Sequence, residues 1–199
     1  MGTEALDVGI HPSAIIEGDV EFQGPASVGA HCYLKGPLII EPGVEIFPGC
    51  IIGCEAESYE EQANSTPIII GMGTTLREKV VVQRAVDGGS TIIGEDCYIM
   101  HGCHVAHDCK VDNEVTMAPG VVLSGHTNVM FRANLGIRVA TNQFVTIGAY
   151  AMVGMGSTVI GDGHPGTLAV GTPARIKGKN IVGLRRSGIE LFSDLEDQV

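Results

Sequence analysis

Aliphatic side chains recur at every sixth position along most of the chain, with polar and glycine residues between them. From the middle onward the series runs through Ile93, Ile99, Val105, Val111, Met117, Leu123, Val129, Leu135, Ile147, Val153 and Val159, with Thr141 as an interruption. The N-terminal part keeps the same spacing at Ile10, Ile16, Phe22, Val28, Leu34, Ile40, Ile46 and Ile52. Four places after many of these residues stands a small or β-branched one, as at Cys97, Cys103, Cys109, Val115, Val121, Thr127 and Ala133. An amphipathic helix needs a period of about 3.6, which this region lacks.

A period of six predicts an all-β fold, a left-handed parallel β-helix of hexapeptide repeats. A short C-terminal helical cap is expected to follow it, where the period of six is lost. Each hexapeptide is a short strand followed by a turn, and three of them make one triangular coil of about 18 residues. The aliphatic residue points into the prism, and the small residue fits near a corner where two walls converge. Coils stack at the inter-strand spacing of about 4.8 Å and hydrogen-bond to their neighbours.

The repeat is interrupted twice and then fades, and these breaks set the predicted domains. We expect a β-helix domain over residues 1–178, with loops at 54–67 and 83–90 that leave the prism. Loops on a rigid scaffold are where solenoids tend to carry function. Residues 179–199 are expected to form a short helical segment over the open end of the core, because helical spacing is found at Leu184, Ile189, Leu191, Phe192 and Leu195.

Composition supports a repeat protein, and the charge excludes one class of partner. Glycine is abundant with 28 residues, aromatic residues make up 5%, and tryptophan is absent. A core built on a few large rings is therefore not expected. The formal net charge of -11 argues against nucleic acid as a partner. An anionic substrate would need a local basic patch, and one short C-terminal window supplies Arg175, Lys177, Lys179, Arg185 and Arg186.

The cysteines and the N-terminal residues lead us to expect a cytoplasmic protein that does not insert into a membrane. The sequence contains no run of about 18 apolar residues. Its first ten residues, MGTEALDVGI, lack the basic and apolar regions of a signal peptide. The six cysteines occupy apolar positions of the repeat, so we expect reduced thiols that fill the core rather than disulfides or metal ligands.

Histidines are concentrated in one short part of the chain. Four of the seven, His101, His104, His107 and His126, lie in outward or corner positions of the repeat. Because histidine titrates near neutrality, such side chains in a cleft are candidate general bases. Asp108 directly follows His107 and could orient its ring. His126 lies about one coil further along, which places it near His107 if the two share a face.

Several motifs resemble those of the UDP-N-acetylglucosamine acyltransferases of lipid A biosynthesis, a family of the left-handed β-helix acyltransferase superfamily. They are HVAHDC at 104–109, SGH at 124–126, NQF at 142–144, AYAMVG at 149–154 and NIVGLRR at 180–186. The histidine run is the most specific of them. The resemblance implies a homotrimeric acyltransferase that moves an acyl chain from acyl carrier protein to the sugar 3-hydroxyl of the nucleotide sugar. It implies direct transfer without a metal or other cofactor.

The resemblance also implies roles for individual residues. His107 would be the general base that deprotonates the acceptor hydroxyl, with Asp108 as its acidic partner. The backbone N–H of Gly136 would stabilise the thioester oxyanion. The remaining matches would line the cleft or contact the acceptor and its nucleotide: His104, His126, Gln143, Asn180 and Arg186.

Some positions depart from the family pattern. Where the family has a third cleft histidine, this chain has Asn142. We expect Asn142 to contact the substrate as well. Ser58 and Glu60 stand in the first loop where the family has aspartate and lysine. Val182 and Ser187 replace an acidic residue and an arginine near the nucleotide. These changes leave open which amino sugar is the acceptor and whether the donor is acyl carrier protein or CoA.

Two bulky residues predict a short or medium acyl group. Met155 occupies the acyl-length position, which is glycine in relatives that use long chains, and Ile137 fills another normally small position. An extra side chain in a packed groove excludes methylene groups. The segment AVGTPARIKGKN at 169–180 resembles hexapeptide acetyltransferases, so an acetyl-CoA-dependent sugar acetyltransferase is an alternative.

Two further alternatives share the fold. A γ-type carbonic anhydrase would bind zinc through histidines at subunit interfaces. However, the spacing of His101, His104 and His107 sends them to different faces, so they cannot converge within one chain. A non-catalytic sugar-binding β-helix would have lost the acceptor contacts, but the retained His107 and Asp108 argue against it. In the expected homotrimer one subunit supplies His107 and its neighbour supplies the opposite wall of the cleft.

Overall fold

A computed structural model of the chain describes residues 8–59, 66–86 and 88–189, which form short strands and one helix. Before the first loop lie β1 (Val8–Ile10), β2 (Ile15–Glu17), β3 (Val20–Phe22), β4 (Ala26–Val28), β5 (Tyr33–Lys35), β6 (Leu38–Ile40), β7 (Glu45–Ile46) and β8 (Ile51–Cys54). Between the loops lie β9 (Ile68–Ile70), β10 (Thr75–Leu76) and β11 (Val81–Gln83). After the second loop follow β12 (Ile92–Ile93), β13 (Tyr98–Ile99), β14 (His104–Val105), β15 (Lys110–Val111), β16 (Thr116–Met117), β17 (Val122–Leu123), β18 (Asn128–Val129), β19 (Asn134–Leu135), β20 (Ala140–Thr141), β21 (Thr146–Ile147), β22 (Met152–Val153), β23 (Thr158–Val159), β24 (Thr167–Val170), β25 (Arg175–Lys179) and helix α1 (Ile181–Arg186).

From β1 to β23 every third strand belongs to the same sheet, so the chain winds around a three-walled prism. Sheet A runs β1-β4-β7-β10-β13-β16-β19-β22-β24-β25, sheet B runs β2-β5-β8-β11-β14-β17-β20-β23, and sheet C runs β3-β6-β9-β12-β15-β18-β21. Neighbouring strands from β1 to β24 are parallel, and most pair in register, as where His104 lies opposite Val122 one coil later. The turns between strands form three columns, which we name the A–B, B–C and C–A corners. The predicted hexapeptide β-helix is confirmed.

The interior of the prism is filled by the six-residue series of aliphatic side chains. Ile99, Leu123 and Leu135 are all 0% exposed, and burying each such side chain contributes about 1.5–3 kcal/mol. At the N-terminal end Ile10 and Ile16 remain 41% and 38% exposed. They belong to the first coil of the described chain, which has a neighbouring coil on only one side among the described residues.

Five of the six cysteines lie in the core, as predicted for the small inward position of the repeat, whereas Cys54 at the end of β8 is only partly buried. Cys97, Cys103 and Cys109 are at most 2% exposed, and all six cysteines of the chain are free thiols. The thiols of these three donate to backbone carbonyls of the next coil, as Cys109 does to Ser124 O at 3.1 Å. Burial raises the pKa of Cys97 and Cys103 to about 11 and that of Cys109 to about 12. They are therefore protonated and unreactive at neutral pH.

Both predicted loops leave the prism at the B–C corner. The first connects β8 to β9 and the second connects β11 to β12. The flanking strands still pair, with Ile52 opposite Val82 and Ile69 opposite Ile92, and the register shifts only after Val82, where Gln83 lies opposite Cys54. The loops are therefore insertions that leave the walls intact. Ser58 lies within the described part of the first loop, whereas Glu60 lies outside the described residues.

The predicted short C-terminal helix is present as α1, but it does not lie over the open end of the core. After β24 the chain turns back as β25, an antiparallel strand on sheet A that extends to Lys179. Ala174 in the intervening turn packs against the end of the main core. Helix α1 packs instead against the C–A corner, where Leu184 and Ile189 contact Tyr150 and its neighbours. The end of the core is thus covered by a turn, and the predicted helical residues 190–197 lie outside the described part of the chain.

Within residues 8–59, 66–86 and 88–189, the structure contains no helix that is both long enough and apolar enough to cross a bilayer.

Candidate active site

The B–C corner carries the predicted general base. Strand β14 ends at Val105, and the turn that leads to β15 places His107 and Asp108 at its tip. Asp108 has a positive φ of 59°, a backbone conformation that is unusual outside glycine and that aspartate tolerates better than most residues. His107 and Asp108 are only 6% and 7% exposed. A histidine and a carboxylate, both buried, thus stand side by side at a turn.

The two side chains form a hydrogen-bonded dyad. His107 Nδ1 lies 2.9 Å from Asp108 Oδ2. An ionised carboxylate can only accept, so Nδ1 donates this hydrogen bond, and in the neutral imidazole Nε2 is then the proton acceptor. Asp108 is itself held, because its Oδ2 accepts from Val86 N at 3.0 Å and its N–H donates to Thr91 Oγ1 at 2.9 Å. The dyad therefore has the geometry of a general base whose orientation is fixed by a buried carboxylate.

Aromatic rings extend this corner along the prism. The ring of His126 meets that of His107 edge to face, with centroids 5.2 Å apart. His126 also stacks on Phe144, one coil further, at 4.4 Å with the planes 8° apart. Phe144 is 68% exposed and presents its ring at the surface. The prediction that His126 lies near His107 is confirmed, and Phe144 belongs to the same ladder.

Gly125 is a site residue that the sequence analysis missed. A Cβ built on it would lie 2.5 Å from His107 Nε2, so the imidazole rests directly on a backbone without a side chain. Among the described residues the N–H of Gly125 donates no hydrogen bond. The signal was present in the sequence, because Gly125 follows His107 by one coil and therefore stacks on it.

His104 is the first residue of β14, three residues before His107, and lies on the outer face of sheet B. It is half-buried between Val81 and Val122 on the neighbouring strands. Desolvation lowers the pKa of His104 from its usual value of 6.5, and the negative charge of Glu57 opposes this shift. The imidazole is therefore neutral at pH 7. Asn142 and Gln143 are exposed at the same B–C corner, on the coil beyond His126.

Three of the predicted residues lie at a different corner. Gly136, Ile137 and Met155 occupy the A–B corner, across the width of sheet B from His107. Ile137 and Met155 are 46% and 75% exposed. The N–H of Gly136, which we expected to face the oxyanion, donates to Val153 O at 2.8 Å as part of the sheet ladder. That expectation needs correction, since this amide is committed and belongs to another corner.

Asn180 and Arg186 lie at the third corner, beside sheet A. They line a cavity of about 430 Å³ together with Val182, Ser187 and Arg132. The side chain of Asn180 is already engaged, because its Nδ2 donates to Tyr150 O at 2.9 Å and its Oδ1 accepts from Gly183 N at 3.1 Å. Asn180 therefore caps helix α1 in this structure.

The predicted site residues are thus spread over three corners of one chain. The B–C corner holds His107, Asp108, His126, Asn142 and Gln143, with His104 beside it on sheet B. The group with Met155 lies at one edge of sheet A, and the group with Asn180 lies at the other edge. Within one chain, as far as the structure describes it, the three groups stay apart.

The histidines of the chain are also potential metal ligands. His101 lies at the A–B corner, His104 on a flat wall and His107 at the B–C corner, so the three do not converge within the described chain. A different set could hold an ion, because ligand atoms of His107, Asp108 and His126 lie within 4.8 Å of one another. Asp108 Oδ2 in that set already accepts two hydrogen bonds.

A hexapeptide β-helix with a histidine–aspartate dyad at one corner defines the class of hexapeptide-repeat transferases. The bacterial transferase hexapeptide family (six repeats) matches residues 90–125. Among acyl-[acyl-carrier-protein]–UDP-N-acetylglucosamine O-acyltransferases, that of Rhizobium johnstonii is 31% identical over 96% of this chain and 77% of its own length. That of Synechocystis is 35% identical over 78% of this chain and 57% of its own length. The chain belongs to this family of UDP-N-acetylglucosamine O-acyltransferases.

The solved structures agree with this family. The UDP-N-acetylglucosamine acyltransferase of Bacteroides fragilis superimposes with a TM-score of 0.79 at 28% identity, covering 94% of this chain and 78% of that one. The β-helix is left-handed, as predicted. The chain spans only 57% and 60% of the length of the relatives from Synechocystis and Sinorhizobium fredii.

Proposed function

We propose that the protein transfers an acyl group from acyl carrier protein or CoA to a hydroxyl of a nucleotide-linked amino sugar. The acceptor would resemble UDP-N-acetylglucosamine, as in the first step of lipid A synthesis. The observation that carries this proposal is the buried dyad, in which His107 Nδ1 lies 2.9 Å from Asp108 Oδ2, so that the neutral imidazole has Nε2 as its proton acceptor. The names of the relatives supply the substrate class.

The chemistry follows from the free nitrogen of the dyad. His107 Nε2 accepts the proton of the acceptor hydroxyl as its oxygen attacks the thioester carbonyl. Asp108 stabilises the imidazolium that forms. The tetrahedral intermediate then collapses with cleavage of the C–S bond, and the proton passes from His107 to the leaving thiolate. No covalent enzyme intermediate is needed, and we propose that no metal takes part.

We assign the oxyanion contact to Gly125 rather than Gly136. The N–H of Gly125 donates no other bond among the described residues, and its Cα lies against the His107 ring. A donor beside the base can reach the carbonyl that the activated hydroxyl attacks. The amide of Gly136 is not available for this contact, because it donates to Val153 O and lies at another corner of the prism.

We further propose a homotrimer in which the cleft forms between subunits. Met155 and Asn180 lie at the two edges of sheet A, whereas His107 lies at the opposite corner. One subunit that presents its B–C corner to the sheet A wall of the next would bring all three groups together. A threefold arrangement repeats this contact and closes the ring.

The same geometry supports a short or medium acyl group and keeps acetyl-CoA as a donor. Met155 is 75% exposed at the edge of the proposed cleft, where its side chain would shorten a groove. Strand β25 exposes Arg175, Lys177 and Lys179, which could bind the phosphates of CoA. The free thiols are compatible with the cytoplasm, which is the compartment we propose.

The experiment is thioester consumption by the wild type, His107→Ala and the control His11→Ala. His11 is an exposed histidine in the first described coil, far along the prism from His107, so its removal should leave turnover unchanged. UDP-N-acetylglucosamine and related amino sugars are each paired with acetyl-CoA and with acyl carrier proteins bearing short and long chains. We expect His107→Ala to lose roughly 10²–10⁴-fold in kcat, and the wild type to keep its activity after treatment with a chelator. Absence of turnover with every pair would favour a sugar-binding β-helix instead.

A further inference from the structure

A buried arginine anchors the loop that covers the dyad. We name the described residues 84–86 and 88–90 of the second loop the Arg84 loop. Arg84 is 5% exposed, and its Nε and Nη2 donate to Gly53 O at 2.9 Å and Gly36 O at 2.6 Å. Its backbone N–H donates to Cys54 O at 2.9 Å. A buried guanidinium is held in one geometry when carbonyls satisfy its planar donors.

The loop then reaches the carboxylate of the dyad. Val86 N–H donates to Asp108 Oδ2 at 3.0 Å, and Gly89 N–H closes the turn by donating to Val86 O at 3.0 Å. A Cβ built on Gly89 would overlap Asp108 Oδ1, so the carboxylate packs directly against the Gly89 backbone. The loop thus contacts both oxygens of Asp108.

The orientation of Asp108 depends on this loop. Oδ1 is buried without a hydrogen-bond partner among the described residues, so it does not fix the rotation of the carboxyl group. Oδ2 accepts two hydrogen bonds, one from Val86 N–H and one from His107 Nδ1, whereas His126 Nε2 lies 3.9 Å from it, beyond hydrogen-bond distance. The hydrogen bond with His107 Nδ1 is the one whose geometry the carboxylate has to fix. Val86 is therefore the group that can orient the carboxylate independently of the base.

We propose that Arg84 is a positioning residue for the general base, acting through Val86 and Asp108. It anchors the start of the loop to the carbonyls of Gly36 and Gly53, and the loop sets the rotation of the carboxylate. The carboxylate in turn holds the His107 ring as the Nδ1–H tautomer. The catalytic part of this inference rests on the proposed acyl transfer.

The first test replaces Arg84 and reads both kinetics and the state of the imidazole. We expect Arg84→Met to lower kcat on the order of 10²-fold with little change in KM, because misplacement of a reacting group by about 1 Å has that effect. Arg84→Lys should recover part of the loss, since its ammonium can still donate to one of the carbonyls. The ¹⁵N resonances of the ring, assigned with His107→Ala, should show the Nδ1–H tautomer in the wild type and a mixture in Arg84→Met.

A second variant reaches the same carboxylate without altering the arginine. Gly89 does not have a positive φ, so alanine is compatible with its backbone. The methyl group of Gly89→Ala would displace Asp108 Oδ1. We expect the same loss of kcat and the same mixed tautomer as in Arg84→Met. The control is Gly9→Ala on strand β1, where the nearest atom would lie 3.9 Å from the new Cβ. It should resemble the wild type in both measurements.

The two readouts separate this inference from the proposed function. If no acyl transfer is found but the tautomer shifts in both variants, the positioning role stands and the reaction is different. If both variants keep the wild-type tautomer and kcat, the positioning role is overturned. If Arg84→Met fails to fold, Gly89→Ala gives the same decision.

Discussion

Gly125 offers the sharpest perturbation of the active site, because a single methyl group would act on one catalytic ring. Gly125 has no positive φ, so alanine is compatible with the backbone. Its Cβ would lie 2.5 Å from His107 Nε2, whereas ordinary van der Waals contact begins at 3.4 Å. The imidazole must therefore shift by about 1 Å. A displacement of that size costs on the order of 10²-fold in rate, or about 2.7 kcal/mol of transition-state stabilisation.

The assay is a double-mutant cycle on kcat/KM for acyl transfer. Gly125→Ala should lose on the order of 10²-fold in the wild-type background. In the His107→Ala background the same methyl group should cost almost nothing, because the ring that it displaces is absent. Gly9→Ala is the matched control, with an expected rate equal to that of the wild type.

Thermal unfolding would show that Gly125→Ala remains folded at the assay temperature. Equal losses in the two backgrounds would refute the reasoning, since the methyl group would then act on something other than His107. Wild-type kcat/KM in Gly125→Ala would refute it as well, because the ring would have moved without consequence.

Two further predictions concern Met155 at the A–B corner and His104 on sheet B. Met155→Gly should shift the preferred donor toward longer acyl chains, measured as the ratio of kcat/KM for long and short thioesters; an unchanged ratio would remove Met155 from the acyl groove. Because desolvation lowers the pKa of His104 below its usual value of 6.5, the unfolded chain binds a proton at this position more readily than the folded one. Stability should therefore fall as the pH drops from 6.5 toward the lower folded pKa, and His104→Gln should flatten this part of the urea-denaturation profile. Identical profiles for the two proteins would contradict the assigned burial.

The spacing of residues was sufficient to predict the walls of the prism. Each hexapeptide repeats the same local pattern, an inward aliphatic residue followed by a turn. The pattern can therefore be recognised without knowledge of long-range contacts. Ile99 and Leu123 are fully buried for this reason. The same counting places His107 at a corner and His126 one coil later, and it would have placed Gly125 against the base.

The position of the C-terminal helix could not be obtained from spacing. A helical pattern shows which side chains share a face but not which surface will receive them. Leu184 and Ile189 pack on the C–A corner because Tyr150 and its neighbours offer an apolar surface there. The end of the core is covered by Ala174, a residue with no periodic signal.

The sequence by itself therefore determined the β-helix, its core and the pair His107 and Asp108, because all of these follow from a local repeat. Only the tertiary structure decided how the site is held. The Arg84 loop breaks the repeat, and its contacts with Asp108 join residues about one coil apart through backbone groups that leave no mark in the residue pattern. Hydrogen bonding likewise decided that Gly136 is committed to its sheet, since every glycine of the repeat looks alike until its amide partner is known.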